Sequence, residues 1–160
     1  MPRFHVHVDA LVRRGDEILI MKRAMGAMTG AWYVPGGALE ANESPEDGVR
    51  REIREETELE VANLRLFRVW HYHQDESTPA VGITFTCEVP AATEPRINEE
   101  HAAARWVTPE YYRERYFNDD VLTALASNLI ALELVTAVRD MVDAYIDTNQ
   151  GQHQAQREPA

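Results

Sequence analysis

Between Gly37 and Leu59 the chain reads GALEANESPEDGVRREIREETEL, and no other stretch restricts it as strongly. Glu52, Glu55 and Glu56 recur at spacings of three and four, so a helix over residues 45–58 lines them along one side. Like charges at such spacing cost a helix ~0.2–0.5 kcal/mol per pair, and something positive should compensate them. One reading is a solvated acidic face, in a chain with 27 acidic residues against 16 basic ones. The other is a hard divalent cation, Mg²⁺ or Mn²⁺, held by carboxylate oxygens and by the phosphates of a substrate.

The residues just upstream set the phase of that helix. Ser44 is placed to cap the N-terminus, with Pro45 at the first helical position and Asp47 at the third. From that start, Val49 and Ile53 fall on a stripe that can face a core, while Asp47, Arg51, Arg54 and Glu58 point elsewhere. The three acids then flank the buried stripe, at the edge of a cleft.

In register, Gly37, Glu43, Arg51, Glu52, Ile53, Glu55, Glu56 and Leu59 resemble the Nudix box, G-x5-E-x7-R-E-U-x-E-E-x-G-U with U aliphatic. One position departs: Glu58 stands where the family usually has the glycine that turns the chain at a helix C-terminus. The resemblance covers residues 4–112. It implies an α/β fold, a Nudix-type α/β/α sandwich with a mixed central sheet. It also implies that Glu52, Glu55 and Glu56 bind metal with the carbonyl of Gly36, and that Glu43 and Arg51 brace the loop and helix as an ion pair; the plain alternative for Arg51 is a solvated helix arginine. The activity it implies is hydrolysis of a phosphoanhydride in a nucleoside diphosphate linked to another moiety. Nucleoside triphosphates, ADP-ribose and nucleotide sugars all stay open. A catalytically silent nucleotide sensor is the competing reading, although such a protein would be expected to have eroded these acids. An isomerase on the same fold needs an active-site cysteine, and Cys87 falls on the apolar face of a predicted strand.

With 160 residues and 44% apolar composition, residues 1–147 suit a single domain with a real core. A formal net charge of −11 speaks against broad nucleic-acid binding, where Lys and Arg neutralise phosphates. The lone Cys87 rules out an internal disulfide and a cysteine zinc site, and fits a reducing cytoplasm. No apolar run resembles a signal peptide or is long enough to span a bilayer.

In chain order, FHVHVDALV over residues 4–12 alternates as a strand, with His5, His7 and Asp9 on the face opposite Val6, Val8, Ala10 and Val12. Those three suggest a metal site, but no further ligand accompanies them. Gly15-Asp16 reads as a hairpin turn into a strand over 18–22. By resemblance, Arg23 beyond it touches substrate phosphate. Residues 24–37 read as a glycine-rich loop in which Trp32 either stacks on a base or packs beneath the chain. Strand patterns follow over 61–73 and 81–89, the first carrying Trp70 and Tyr72 as further candidates for base or sugar contacts. A loop over 94–101 precedes a short strand at Arg105 to Val107, and by resemblance Glu100, six residues before Trp106, is a further metal ligand or the general base, preferred over Glu99 and His101.

No glycine or proline interrupts residues 119–147, where Val121, Leu125, Leu129, Leu132, Val135, Val138, Val142 and Tyr145 recur at helical spacing. They predict one extra-long C-terminal helix or two shorter ones. Apolar residues off that stripe, at Ile130, Leu134, Met141 and Ile146, call for a second partner surface. A homodimer through this helix is the expectation. Residues 148–160 are polar and read as a disordered tail.

Overall fold

The five strands predicted from sequence join two short unpredicted ones in one mixed seven-stranded sheet in a computed structural model, which describes residues 1–26 and 28–157, with side chains up to residue 150. The strands are β1 (His5–Arg14), β2 (Glu17–Arg23), β3 (Trp32–Tyr33), β4 (Gly36–Ala38), β5 (Ala62–Asp75), β6 (Thr78–Glu88) and β7 (His101–Val107). Their order runs β3-β2-β1-β6-β5, with β4 also on β1 and β7 also on β2. β1 and β6 run parallel, and the other pairs are antiparallel.

The geometry that makes a site begins at Gly15, whose φ of +60° closes the tight turn between β1 and β2. The two strands pair at Arg13↔Ile18 and Arg14↔Glu17. Farther along, β3 takes the edge of β2 at Met21↔Tyr33, while β4 takes the edge of β1 at Asp9↔Gly36. Residues 32–38 thus cross from one strand to the other and prise them apart. The glycine-rich stretch read as plain loop therefore holds two short strands; it lacked any period because each is only two or three residues long.

Helix α1 (Pro45–Thr57) follows the signals that predict it. The Ser44 hydroxyl accepts from the Asp47 N–H at 3.1 Å, and Pro45 opens the first turn. Val49 and Ile53 are fully buried and join Val8, Ala10, Val12, Leu19, Met21, Phe85 and Cys87 in one cluster. Burying such a side chain is worth roughly 1.5–3 kcal/mol, so this stripe seats the helix. Glu58 ends it in the left-handed conformation, φ 58° and ψ 18°, donating its N–H to the Arg54 carbonyl. The glutamate thus adopts the turn that a glycine usually makes.

Residues 1–107 form one compact unit and residues 108–160 another. The second holds α2 (Pro109–Tyr116), α3 (Asp119–Ala124) and α4 (Leu129–Arg157). The predicted run over 119–147 is therefore divided at residues 125–128. Asn128 accepts from the Ala131 N–H through its side chain at 3.2 Å and restarts the chain as a helix cap. Within this unit Tyr112 and Phe117 meet edge to face at 4.9 Å, and the Arg113 Nε donates to Asp143 at 3.0 Å. Helix α4 carries on through residues 148–157 of the stretch read as disordered; residues 158–160 lie outside the described residues. Among the described residues, no helix is long and apolar enough to cross a membrane.

Candidate active site

Gly36 lies where β4 presses against β1. A Cβ there would fall 2.3 Å from the Val8 carbonyl oxygen and 2.6 Å from the Asp9 Cβ, so only glycine lets the two backbones meet. The close approach aims the Gly36 N–H at Glu56 Oε1, 2.9 Å away. Glu56, in the last turn of α1, is only 4% exposed. Burial pushes its carboxyl up to about 8; the Gly36 N–H and the Arg23 charge oppose the rise, and the Glu52 and Glu100 charges add to it.

Gly37 repeats the pattern one residue on. A Cβ at this position would lie 2.6 Å from the Glu52 carboxylate. Burial raises the Glu52 carboxyl above its usual range, with Arg51 pulling it back.

Arg51 compensates much of this charge. Its Nε and Nη2 donate to both oxygens of Glu43 at 2.9 and 2.7 Å, a bidentate pair that holds the Glu43 carboxyl at about 2. Nη1 reaches Glu52 at 3.0 Å and Glu55 at 3.2 Å, while Nη2 also donates to the Ala38 carbonyl at 3.3 Å. Arg51 is thus tied to the box on four sides instead of being solvated. The acid triad read from helical spacing is accordingly divided, with Glu52 and Glu55 on Arg51 and Glu56 facing away from it.

Glu56 faces a loop. The Arg96 N–H donates to the Thr57 carbonyl at 2.9 Å, the Asn98 amide to the Glu55 carbonyl at 3.3 Å, and the Ala24 N–H to the Glu100 carbonyl at 2.8 Å. These bonds fasten residues 96–100 across the end of α1 and the end of β2. His101 Nε2 consequently lies 3.1 Å from Glu56 Oε2, with the imidazole side chain 6% exposed. Burial lowers the His101 pKa, as does the Arg23 charge, while Glu100 raises it.

Glu56, Glu100 and His101 offer ligand atoms that all lie within 4.8 Å of one another. Carboxylate oxygens and one imidazole nitrogen form a donor set that fits a divalent cation. Glu100, preferred from the sequence over Glu99 and His101, is in this group, and His101 lies beside it. His101 is the first residue of β7, which starts four residues earlier than the strand expected at Arg105; the alanines at 102–104 gave no apolar alternation from which to read it.

The remaining candidates lie on β1, β2, β3, β5 and β6. Arg23 ends β2 with its charge felt at both Glu56 and His101. Trp32 is half-buried, with the Arg105 guanidinium 5.8 Å from its ring centroid. Trp70 donates its indole N–H to Thr84 at 2.9 Å and lies over Gly82, where a Cβ would be 2.3 Å from the ring. Tyr72 is buried beside it at 5.0 Å between centroids. Asp9, fully buried, accepts from the Tyr33 hydroxyl at 2.6 Å and lies 3.2 Å from His7 Nε2. His5, His7 and Asp9 are not among the side chains grouped closely enough to share an ion, within the described residues. Cys87 is buried in the core with its thiol pushed up to about 12, an inert packing residue.

Comparison with known proteins identifies the family. The NUDIX domain family matches residues 3–125. A MutT-like protein of Streptomyces ambofaciens is 31% identical over 152 residues, covering 95% of this chain and 88% of that protein. The nucleoside triphosphatase NudI of Escherichia coli is 33% identical over 116 residues, covering 64% of this chain and 81% of its own length. Among solved structures, a MutT NUDIX hydrolase from Burkholderia pseudomallei aligns with a TM-score of 0.60 at 28% identity, over 68% of this chain and 85% of that one. A sheet prised open at a double glycine, a box helix laid across it with its acids in register, and these likenesses lead to one conclusion: the chain belongs to the Nudix family of hydrolases.

Proposed function

We propose that this Nudix pyrophosphohydrolase needs a divalent ion, Mg²⁺ or Mn²⁺, to cleave the phosphoanhydride of a nucleoside diphosphate linked to a further group. The observation that carries the reading is the meeting of two glycines with two box acids, Gly36 at Glu56 and Gly37 at Glu52. Glu52, Glu55, Glu56 and Glu100, with the Gly36 carbonyl, would hold the ion. Bound there, it would supply charge neutralisation for the diphosphate and a more acidic water.

The side chains divide the remaining work. Arg51 keeps the two glutamates at its end of the helix oriented and partly neutralised before substrate arrives. Arg23, exposed at the strand end, is placed to meet phosphate. Whichever of Glu55, Glu56 and Glu100 is not occupied by metal takes the proton of the attacking water at its carboxylate oxygen. Of the aromatic candidates Trp32, Trp70 and Tyr72, the half-buried Trp32 offers surface to a base or sugar, whereas Trp70 and Tyr72 are only 8% and 7% exposed. Among the open substrates, a nucleoside triphosphate is favoured by the likeness to NudI. A second copy of the chain docks through α4, whose Leu129 is 74% exposed.

The test is phosphate and pyrophosphate release over a panel of nucleoside triphosphates, ADP-ribose and nucleotide sugars, with Mg²⁺ or Mn²⁺, for wild type and Glu56→Gln. Divalent-dependent turnover that drops at least about 100-fold in the variant is expected, the size seen when one charge-stabilising group is removed. Equal rates would remove the site assignment. Absence of turnover on every substrate would leave a nucleotide sensor.

A further inference from the structure

Asn98 makes three contacts that together decide the state of a neighbouring ring. Its Nδ2 donates to the Glu55 carbonyl at 3.3 Å, and its Oδ1 accepts from the Glu100 N–H at 3.1 Å. Those two bonds fix which end of the amide points where. The atom left facing His101 Nδ1, 3.3 Å away, is therefore the oxygen, which has no proton to give. Hydrogen on Nδ1 makes this contact a hydrogen bond, and in that tautomer Nε2 keeps a bare lone pair.

That lone pair lies 3.1 Å from Glu56 Oε2. Two electron-pair donors hold such a distance only when something positive lies between them, a proton in the metal-free protein or a cation in the loaded one. Around an octahedral ion with ligands at about 2.1 Å, adjacent ligand atoms are about 3.0 Å apart. The observed spacing matches an edge of that figure, and the Glu100 carboxylate is within reach of the same point.

We propose that His101 is a nitrogen ligand of the active-site ion, that Asn98 is the residue positioning it in its ligating tautomer, and that the site therefore selects Mn²⁺ over Mg²⁺. The inference rests on the reading above, in which the box acids hold a divalent ion. Its chemistry is that of donor preference. Mg²⁺ favours oxygen and retains water, whereas affinity for imidazole rises along the first-row transition metals. A site with all-oxygen ligation would leave the two ions closer in affinity. The tautomer matters because the alternative, with hydrogen on Nε2, offers the ion no lone pair.

The experiment is pulsed electron paramagnetic resonance of the Mn²⁺-loaded protein, read for coupling to a directly bound ¹⁴N, with calorimetric titration of Mn²⁺ and of Mg²⁺ alongside. Wild type, His101→Gln, Asn98→Ala and Glu56→Gln are compared. Nitrogen coupling is expected in wild type and absent in His101→Gln, whose Mn²⁺ affinity falls about 10- to 100-fold while Mg²⁺ affinity changes by less than about threefold. In metal-free Asn98→Ala, ¹⁵N shifts of the His101 ring should show hydrogen moving from Nδ1 toward Nε2, a readout that simple loss of stability would not move. Wild-type spectra without nitrogen coupling overturn the proposal even if a variant fails to fold, and so do equal losses for both ions. In that event, binding and turnover still abolished in Glu56→Gln would leave the proposed function standing, whereas wild type that binds neither ion would remove both.

Discussion

Glu56 couples the folding of this protein to protons. Its carboxyl titrates at about 8 in the folded chain against 4.5 as the ordinary value, so folding takes up a proton between those two limits. A raised carboxyl contributes stability that is fully present below about pH 4.5 and lost as pH climbs through 8. His101 acts in the opposite direction below its ordinary 6.5, because burial keeps it neutral in the fold. The net loss should therefore be steepest between pH 6.5 and 8. Melting curves of metal-free protein should show Tm falling over that interval, added Mn²⁺ should raise Tm more at pH 8 than at pH 5.5, and Glu56→Gln should flatten the profile. A flat wild-type profile would contradict the burial of this acid. The two box glycines give a second contrast at the same scale. A methyl at Gly36 meets fixed backbone at 2.3 Å, so Gly36→Ala should be destabilised. At Gly37 it meets the end of a side chain at 2.6 Å, so Gly37→Ala should fold yet lose at least about tenfold in turnover as Glu52 is displaced. Reversed outcomes would mean that the wedge is not where the acids are set.

Two helix boundaries show how local chemistry and overall packing share control of the elements. Helix α1 begins where Ser44 and Pro45 say it should and ends on Glu58, held at φ 58° without the freedom of a glycine. Left-handed geometry costs an ordinary residue about 1–2 kcal/mol, part of which glycine returns as entropy of the unfolded chain. Glu58→Gly should therefore stabilise the protein by about 1 kcal/mol, a rise of roughly 2–4 °C in Tm. An unchanged or lower Tm would mean that the Glu58 side chain makes up the difference. The break between α3 and α4 has the opposite origin. Hydrophobic spacing runs through residues 125–128, but the Asn128 side chain offers the backbone a competing bond, and that decides the boundary.

For the molecule as a whole, the open matter is what meets the apolar surface of α4. Within the second unit, Val138, Met141, Val142 and Tyr145 are buried, while Leu129 is exposed and Ile130, Leu132, Leu134 and Val135 are only half-covered. A helix apolar on more than one side needs a second partner, and another copy of the chain is the one proposed. Sedimentation at micromolar concentration should return twice the chain mass, and Leu129→Glu with Leu132→Glu should shift it to the monomer. The monomer mass for wild type would remove the dimer.

Much of this architecture is local, and so it is legible in the chain. Alternation sets the strands, the Ser44 cap sets the helix phase, and Glu43, Arg51, Glu52 and Glu56 follow at fixed offsets, because strand and helix periods are properties of neighbouring residues. Which acid is desolvated is not such a property. Glu56 is buried because Gly36 lets β4 close on β1, and it faces His101 because Asn98 pins a loop from forty residues away in sequence across the end of the helix. Contacts between segments that carry no period arise only when the chain has packed, and the donors gathered around Glu56 were settled at that stage.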